Sequence, residues 1–484
     1  MHALHADAEA SAANSSIVEQ AAEQHILVGV GSPRCRPRGR ATLKRLCGTR
    51  LPQAWRPQFV QHLCTSADCS SPFGRLVASA TQPLGAGISA ARRCAWRSCT
   101  VALIVATSAC ARTARVASPS PDVTIDSRPS ERIADTVWYI SARARINGRD
   151  SRRFADSLEY GYVVHTYRRR ADPLVDGLDI ALDDSVSLSR DEFVTNVRLA
   201  AGANSAPSDF AILYVHGYST SLHECWHYVA EARARSGSTV PWVAFCWPSN
   251  GLGIALPTRG AILDQAYRED STAAAASAVD FVRAAEVVLD AVPPARLLLV
   301  AHSMGAQLLS GALMKEIPRE QESLSSRFAR ERVRGIAFVS PDVDARRFAD
   351  TIIPMLRPLA SRIVAYTSGR DRMLLLSRER SGTPRAGLRQ STPLVRADLE
   401  TIDVTDGLVA ENGFQHIFGT HHSIRRASGL VFDLVHIVGA GRAANCRATL
   451  GSAIFTPAGV WALTPRRPDV DAVAAQCALV KATP

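Results

Sequence analysis

The sequence of 484 residues has little of what marks several large classes of protein. Its apolar run at 98–109 is too short to span a bilayer, which takes about 20 apolar residues. Its eleven cysteines include no two pairs with the spacing of zinc ligands. It also has no helix-turn-helix signal, zinc finger or aromatic-basic module, so nothing in it indicates binding to nucleic acid despite a net charge of +11.

The positive charge and the cysteines are concentrated near the N-terminus. Residues 1–112 contain 13 Lys and Arg against 5 Asp and Glu, whereas the other 372 residues carry a net charge of only +3. The basic excess therefore does not indicate a charged face on a folded domain. Of the four cysteines beyond residue 110, Cys225 and Cys246 are interpreted as small buried side chains, and a disulfide between Cys446 and Cys477 is compatible with an oxidising compartment.

The N-terminal region indicates export. Residues 1–90 show no sustained periodicity and are expected to be disordered or to reflect a start codon assigned too early. Residues 91–110 place arginines before the short apolar run and small residues after it, which is the layout of a secretory signal. "TSAC" at 107–110 is similar to a bacterial lipobox, although Thr107 stands where an aliphatic residue is usual. The chain is thus predicted to reach the periplasm or cell envelope, with Cys110 as the candidate for lipidation and membrane attachment.

The folded body is predicted to follow a linker at 111–133 and to occupy 134–440, with 441–484 as a C-terminal extension of unknown role. Within the body, short apolar strands alternate with helices, of which 271–290 is predicted as one long helix capped by Ser271. This alternation indicates an α/β protein with a mainly parallel sheet and helices on both faces. In such sheets, ligands bind at the carboxyl ends of the strands.

One strand end carries a reactive side chain. "RLLLVAHSMGAQLL" at 296–309 is an apolar strand, then Ser303, then an apolar run at helical spacing. Ala301 and Gly305 lie two residues before and after the serine, where a tight strand-to-helix turn admits only small residues. The pattern predicts a nucleophile elbow, with Ala301 where glycine is commoner.

An oxyanion hole and a catalytic acid are predicted on either side of this elbow. "YVHGYS" at 214–219 ends an earlier strand in His-Gly, which points to the backbone N–H groups of Tyr218 and Met304 as oxyanion donors, with His216 in a structural role. Asp371 follows the strand "RIVAYTSGRD" and is the first choice for the acid. Asp342 is its alternative, and Asp344 best suits a helix cap.

The catalytic histidine must follow the acid in the chain order Ser, Asp, His. "FQHIFGTHHSIRRA" offers His416, His421 and His422. His422 is the first choice, and His421 is kept as an alternative.

With these residues the chain resembles a bacterial family of α/β-hydrolases of unknown function, the DUF900 hydrolases. The similar segments are spread over 134–435 and include "YVHGYS", "CWPSNG", "LLVAHSMG", "SPDVDARRF", "YTSGRDRMLLLS", "LETIDV" and "HHSI". The resemblance implies the α/β-hydrolase fold, with the elbow after the central strand, and a serine-hydrolase triad. Ser219 stands where the family has asparagine, and Ile424 stands where the family has an aromatic residue.

The sequence therefore predicts a serine esterase or lipase-like acyl hydrolase that acts on a small-molecule or lipid-like ester, with Ser303, Asp371 and His422 as its triad. It requires no metal or organic cofactor. Two alternatives stay open: a non-catalytic envelope-anchored binding protein that keeps the fold, and a serine peptidase.

Overall fold

A computed structural model of the chain describes residues 132–478, except 148, 170–177, 203–209, 250–259, 315–322, 391–392, 408–420, 422–423, 425–426 and 466–467. The predicted signal segment, with Cys110, lies outside the described residues. In the described part, no helix combines the length and the apolar character that crossing a membrane requires.

One sheet of eleven strands organises the described residues, in the order β10-β11-β9-β8-β7-β6-β4-β5-β1-β2-β3. The strands are β1 (Ile133–Ile146), β2 (Arg149–Arg169), β3 (Leu178–Leu188), β4 (Ala211–Val215), β5 (Trp242–Cys246), β6 (Leu297–His302), β7 (Gly335–Val339), β8 (Ile363–Thr367), β9 (Glu400–Asp403), β10 (Ala453–Phe455) and β11 (Trp461–Leu463). The eight central strands, from β11 to β1 in this order, pair in parallel with one another. The outer strands β10, β2 and β3 pair antiparallel with their neighbours. The mainly parallel sheet that the sequence predicts is therefore present.

Helices cover both faces of the sheet. They are α1 (Arg190–Ala200), α2 (Leu222–Ser236), α3 (Gly260–Ala276), α4 (Ala278–Ala291), α5 (Gly305–Met314), α6 (Leu324–Arg330), α7 (Ala345–Arg347), α8 (Ile353–Leu356), α9 (Arg372–Ser381), α10 (Ser428–Phe432), α11 (Cys446–Leu450) and α12 (Val470–Ala478). A 3₁₀ turn at Pro294–Arg296 precedes β6, and π-helical turns at Phe348–Ile352 and Asp433–Gly439 continue α7 and α10.

The alternation of side chains along β6 shows how the sheet separates two cores. Leu297 and Leu299 pack into the core that includes Phe281 of α4 and Leu308 of α5. Leu298 and Val300 point to the opposite face and join the core built with α2 and α10. Because β6 is buried on both faces, its sequence is a continuous apolar run, as expected for a central parallel strand.

The helix predicted at 271–290 differs from the structure. α3 ends at Ala276 and α4 starts at Ala278, so Ser277 interrupts the helical run and Ser271 lies inside α3. The Ser277 hydroxyl donates to the carbonyl of Ala273 at 2.7 Å, a bond that competes with the regular backbone pattern and bends helices.

The C-terminal part extends the same sheet. β10 and β11 form an antiparallel hairpin, and β11 pairs in parallel with β9. The sheet thus continues beyond residue 440, where the sequence showed no recognisable motif. The sequence did not indicate β3 either, because its pattern is only half-buried and rich in aspartate and serine.

The cysteines of the body form two disulfides. Cys225 of α2 is bonded to Cys246 of β5, and Cys446 of α11 is bonded to Cys477 of α12. The second pair is the one that the sequence allowed. Cys225 and Cys246 are buried as predicted, but the sequence did not indicate their disulfide, which forms because α2 packs directly against β5 and brings the two sulfurs together.

Candidate active site

Ser303 occupies a tight turn between β6 and α5. Its φ angle is +54°, a left-handed conformation that a residue with a side chain seldom adopts. A Cβ atom at Gly305 would lie 2.6 Å from the carbonyl oxygen of His216, so no side chain fits there. Ala301 is fully buried, and its single methyl group is accommodated. The local geometry is that of a nucleophile elbow.

The Ser303 hydroxyl contacts a histidine that in turn contacts a carboxylate. Ser303 Oγ lies 2.9 Å from His421 Nε2. His421 Nδ1 lies 2.9 Å from Asp371 Oδ2 and 3.0 Å from Asp371 Oδ1. With the carboxylate accepting the Nδ1 proton, neutral His421 presents Nε2 as an acceptor for the serine hydroxyl proton. The arrangement can deprotonate the serine during attack on a carbonyl carbon.

Asp371 is held in place by the helix that it caps. It follows β8 and its Oδ1 accepts the N–H of Leu374 at 3.0 Å, so it is the N-cap of α9. Its side chain is completely buried. The carboxylate therefore has a fixed direction toward His421, at the carboxyl end of a strand next but one to β6 in the sheet.

The histidine at Ser303 is His421, the alternative from the sequence, while the first choice, His422, lies outside the described residues, as does His416. Burial opposes protonation of His421, but the charge and hydrogen bond of Asp371, with a contribution from Asp342, raise its pKa above the usual value. The imidazolium form is thus stabilised where a proton from Ser303 would arrive.

His302 contacts the backbone of His421. Its Nε2 donates to the carbonyl oxygen of His421 at 3.0 Å, and the two rings are 4.9 Å apart. Burial and the neighbouring His421 lower the pKa of His302 to about 3, so it remains neutral near pH 7. The sequence did not single out His302, and its place directly before the nucleophile was the only signal for it.

The predicted oxyanion donors flank the elbow. A Cβ atom at Gly217 would lie 2.8 Å from Ser303 Cβ, so the turn that carries Tyr218 approaches the serine closely. Met304 follows Ser303 immediately before α5. Within the described part of the chain, the backbone N–H groups of Tyr218 and Met304 donate to no protein acceptor. Two such donors beside a serine could stabilise a developing oxyanion.

His216, predicted to be structural, is buried away from the serine hydroxyl. Its ring stacks on Trp247 with centroids 4.9 Å apart, and Nε2 faces the carbonyl oxygen of Trp247 at 3.1 Å. Burial lowers its pKa to about 3. Trp247 donates its indole N–H to the carbonyl of His216, so the pair packs the ends of β4 and β5 together.

Asp342, the alternative acid, lies near Ser303 but has other partners. It accepts the hydroxyl of Tyr267 at 2.7 Å and that of Ser377 at 2.7 Å, and it pairs with Arg385 Nε at 3.1 Å. Burial and the Asp342 carboxylate raise the pKa of Tyr267 to about 12, so this hydroxyl stays protonated and donates. Asp344 caps α7 by accepting the N–H of Arg347, which is the capping role expected for it.

A small cavity of about 30 Å³ opens at Ser303, with apolar side chains from α9 on one side. It is lined by Tyr218, Tyr267, Ser303, Asp342, Met373, Leu374, Leu376, Ser377, Arg380 and His421. Among the described residues, no cluster of three or more His, Cys, Asp or Glu side chains could hold a metal ion.

The sheet, the elbow and the helices on both faces define an α/β-hydrolase. Residues 192–406 match the sequence model of the family described as α/β-hydrolases of unknown function, DUF900. This match confirms the resemblance that the motifs indicated. No curated protein matches the chain.

Several solved structures are similar to the chain at low identity. A predicted hydrolase from Thermoplasma acidophilum is 15% identical, covers 64% of this chain and 100% of its own, and gives a TM-score of 0.25. A hyperthermophilic esterase from Pyrobaculum calidifontis is 12% identical, with coverages of 80% and 98% and a TM-score of 0.23. A thermophilic esterase from Thermogutta terrifontis is 12% identical, with coverages of 42% and 75% and a TM-score of 0.21. The fold assignment rests on the sheet, the elbow and the family match.

Proposed function

We propose that the protein is a serine hydrolase that cleaves carboxylic esters through an acyl-enzyme. The observation that carries the proposal is the continuous line of contacts from Asp371 through His421 to Ser303. Nucleophile, base and orienting carboxylate within hydrogen-bond distance of one another are the requirement for activating a serine. His421 takes the role of base for which His422 was the first choice.

The proposed reaction has two halves. His421 takes the proton of Ser303 as the hydroxyl oxygen attacks the ester carbonyl carbon, and the Tyr218 and Met304 amides stabilise the oxyanion. The imidazolium, balanced by Asp371, gives its proton to the leaving alcohol. Water then attacks the acyl-enzyme with the same histidine as base, which restores Ser303 and releases the carboxylic acid.

The apolar side of the cavity at Ser303 supports a substrate with an uncharged acyl group. Met373, Leu374 and Leu376 contribute apolar surface beside the hydroxyl. Apolar walls with a few placed polar groups suit an uncharged acyl chain. We expect hydrolysis of 4-nitrophenyl esters, with a preference for short acyl groups because the cavity is small.

A fluorophosphonate probe tests the nucleophile. We expect covalent labelling of the folded wild-type protein, complete loss of labelling in Ser303→Ala, and retention of labelling in Ser310→Ala, a matched change in the following helix. Folded protein that neither labels nor hydrolyses any ester of an acetate-to-octanoate series would favour the non-catalytic binding protein. Cleavage of peptide amides in preference to esters would favour the peptidase.

We propose further that the domain works outside the cytoplasm, attached through a lipid at Cys110. The two disulfides support an oxidising compartment, because such bonds are rare in the cytosol. The test is the mass of the N-terminal peptide of the protein made in a Gram-negative host. A mature chain that starts at an acylated Cys110, and a soluble Cys110→Ser variant, are expected; a chain that retains residues 1–70 would contradict the proposal.

A further inference from the structure

The turn that carries Tyr218 has a backbone that needs external support. Ser219 has a φ angle of +54°, in the left-handed region where a serine is unfavourable. Such a conformation is strained and persists only when its surroundings hold it. Ser219 and the following Thr220 are nevertheless almost completely buried. The contacts around this turn therefore decide the direction of its amides.

One buried carboxylate, Asp270 of α3, holds the turn. Its Oδ2 accepts the backbone N–H of Ser219 at 2.8 Å and the hydroxyl of Ser249 at 2.8 Å. Ser249 Oγ in turn accepts the backbone N–H of Thr220 at 2.9 Å. Only 1% of Asp270 is exposed, and Ser249 is completely buried. Two successive amides of the turn are thus fixed by Asp270, one directly and one through Ser249.

These bonds extend to the peptide group that contains the Tyr218 N–H. Thr220 Oγ1 donates to the carbonyl oxygen of Gly217 at 3.2 Å. In a planar trans peptide, the carbonyl of Gly217 and the N–H of Tyr218 point in opposite directions. The carbonyl oxygen of Gly217 also lies 2.9 Å from His216 Nδ1, so Thr220 and His216 together orient the peptide group that carries the Tyr218 N–H.

A second side chain supports the turn from the other side. Arg143 is 2% exposed, and its Nη1 donates to the carbonyl oxygens of Thr220 at 3.1 Å and Ser249 at 3.2 Å. Arg143 binds carbonyl groups, whereas Asp270 binds amides. The two residues thus hold neighbouring peptide groups of the turn, and the carboxylate is the one bonded next to Tyr218.

We propose that Asp270 is a positioning residue of the hydrolase, which fixes the turn at Gly217–Thr220 so that the Tyr218 N–H meets the oxyanion formed at Ser303. This inference rests on the proposed function. It assigns a role to a residue 33 positions before the nucleophile on α3, without contact with the substrate. Its contribution appears when negative charge develops, and not when the ester first binds.

Asp270→Ala is the decisive variant. It removes the acceptor of both bonds, and we expect kcat for 4-nitrophenyl acetate to fall about 10- to 100-fold, because a misplaced oxyanion donor loses much of its effect. KM should change less than about threefold, since the ester is bound before charge develops. Asp270→Asn keeps an oxygen that can accept both bonds, and we expect it to restore kcat to within about fivefold of wild type.

The readout must exclude a merely structural role. Rates are divided by the concentration of sites titrated to completion with a fluorophosphonate, so unfolded protein does not count. The inhibition constant of a boronic acid, whose tetrahedral adduct places an oxygen in the oxyanion hole, should rise in parallel with the loss of kcat/KM. Asp280→Asn, a half-buried aspartate on α4 paired with Arg283, is the control and should leave both values unchanged.

The outcomes separate the two proposals. A wild-type protein that neither labels nor hydrolyses esters would contradict the proposed function itself. An active wild type with an Asp270→Ala variant whose kcat per titrated site is within twofold, or whose loss lies only in KM, would overturn the role of Asp270. If Asp270→Ala does not fold, Ser249→Ala decides instead: a kcat loss of about fivefold or more with unchanged KM is expected, and no loss would overturn the inference.

Discussion

Two buried aspartates at the carboxyl edge of the sheet show how a similar position can lead to different roles. Asp342 follows β7 and Asp371 follows β8, and the two are exposed by only 3% and 0%. Asp371 contacts the imidazole of His421 and one backbone amide. Asp342 instead contacts two hydroxyls and the guanidinium of Arg385. Burial and strand position therefore do not distinguish an orienting acid from a structural one; their partners do.

The surroundings of each acid explain the difference. Arg385 compensates the charge of Asp342, and the hydroxyls of Tyr267 and Ser377 occupy both of its oxygens. Within the described part of the chain, Asp371 pairs with no arginine; it is matched by an imidazole, which gains charge only when it accepts a proton. An acid near a guanidinium stabilises the resting fold, whereas an acid near a neutral base stabilises an intermediate.

Replacing the histidine should have the largest effect. His421→Ala removes the group that links Asp371 to Ser303, and we expect kcat to fall by about 10⁶-fold, as when a triad base is deleted. His422→Ala is the neighbouring control and should retain activity within about threefold. The measurement is ester hydrolysis per folded molecule. The reverse ranking of the two variants would return the role of base to His422.

Neutralising the two acids tests the comparison directly. In Asp371→Asn the shape is kept but His421 loses the acceptor that selects its tautomer, so kcat should fall by roughly 10⁴-fold. Asp342→Asn should leave kcat within about tenfold of wild type, because Asp342 touches neither ring nitrogen of His421. Equal losses of kcat in both variants, measured with the same ester, would contradict the separate roles of Asp371 and Asp342.

The pH dependence should show the coupling of Asp371 to His421. Only neutral His421 can accept a proton, and its pKa is raised. We therefore expect kcat/KM to fall as the pH decreases through a midpoint above 6.5. In Asp371→Asn the midpoint should move to lower pH because the stabilising charge is gone, whereas Asp342→Asn should move it less. A wild-type midpoint at or below 6.5 would contradict the proposed pairing.

Among these variants, Asp342→Asn should change the activity least, but it should lower the stability of the fold. Asp342→Asn leaves the nearly buried Arg385 without its ionic partner, and breaking such a pair costs about 3 kcal/mol of unfolding free energy. Urea denaturation followed by circular dichroism measures this value. Asp344→Asn, at a half-buried cap on the same segment, is the control and should cost less than about 1 kcal/mol. An Asp342→Asn variant with the same free energy of unfolding as the wild type would contradict a structural role for Asp342.

Much of the fold was predictable because strong local patterns encode it. The apolar strands β4 to β8 follow from the hydrophobic pattern of the sequence. The end of α2 follows from Gly237, which adopts a left-handed conformation there. The break at Ser277 was missed, since a single serine in an alanine-rich run gives no clear stop signal. β10 and β11 were missed because such short strands are defined by their partners: β11 pairs with β9, and β10 pairs with β11.

The choice of His421 over His422 could not be made from the sequence, because adjacent residues share the same loop and the same composition. Only the position of Asp371 Oδ2 and Ser303 Oγ, from segments 50 and 118 residues away, identifies the ring. The same holds for the bond between Cys225 and Cys246, and for Asp270, whose partners lie 21 and 51 residues from it.

The sequence by itself determined the parallel sheet and the elbow at Ser303, since strand length and small residues around a strained serine are local properties of the chain. The tertiary structure decided which acid and which histidine complete the line of contacts to Ser303, and which carboxylate holds the turn at Gly217–Thr220. These are questions of distance and direction between segments that meet only when helices pack on the sheet, and no local pattern of residues records them.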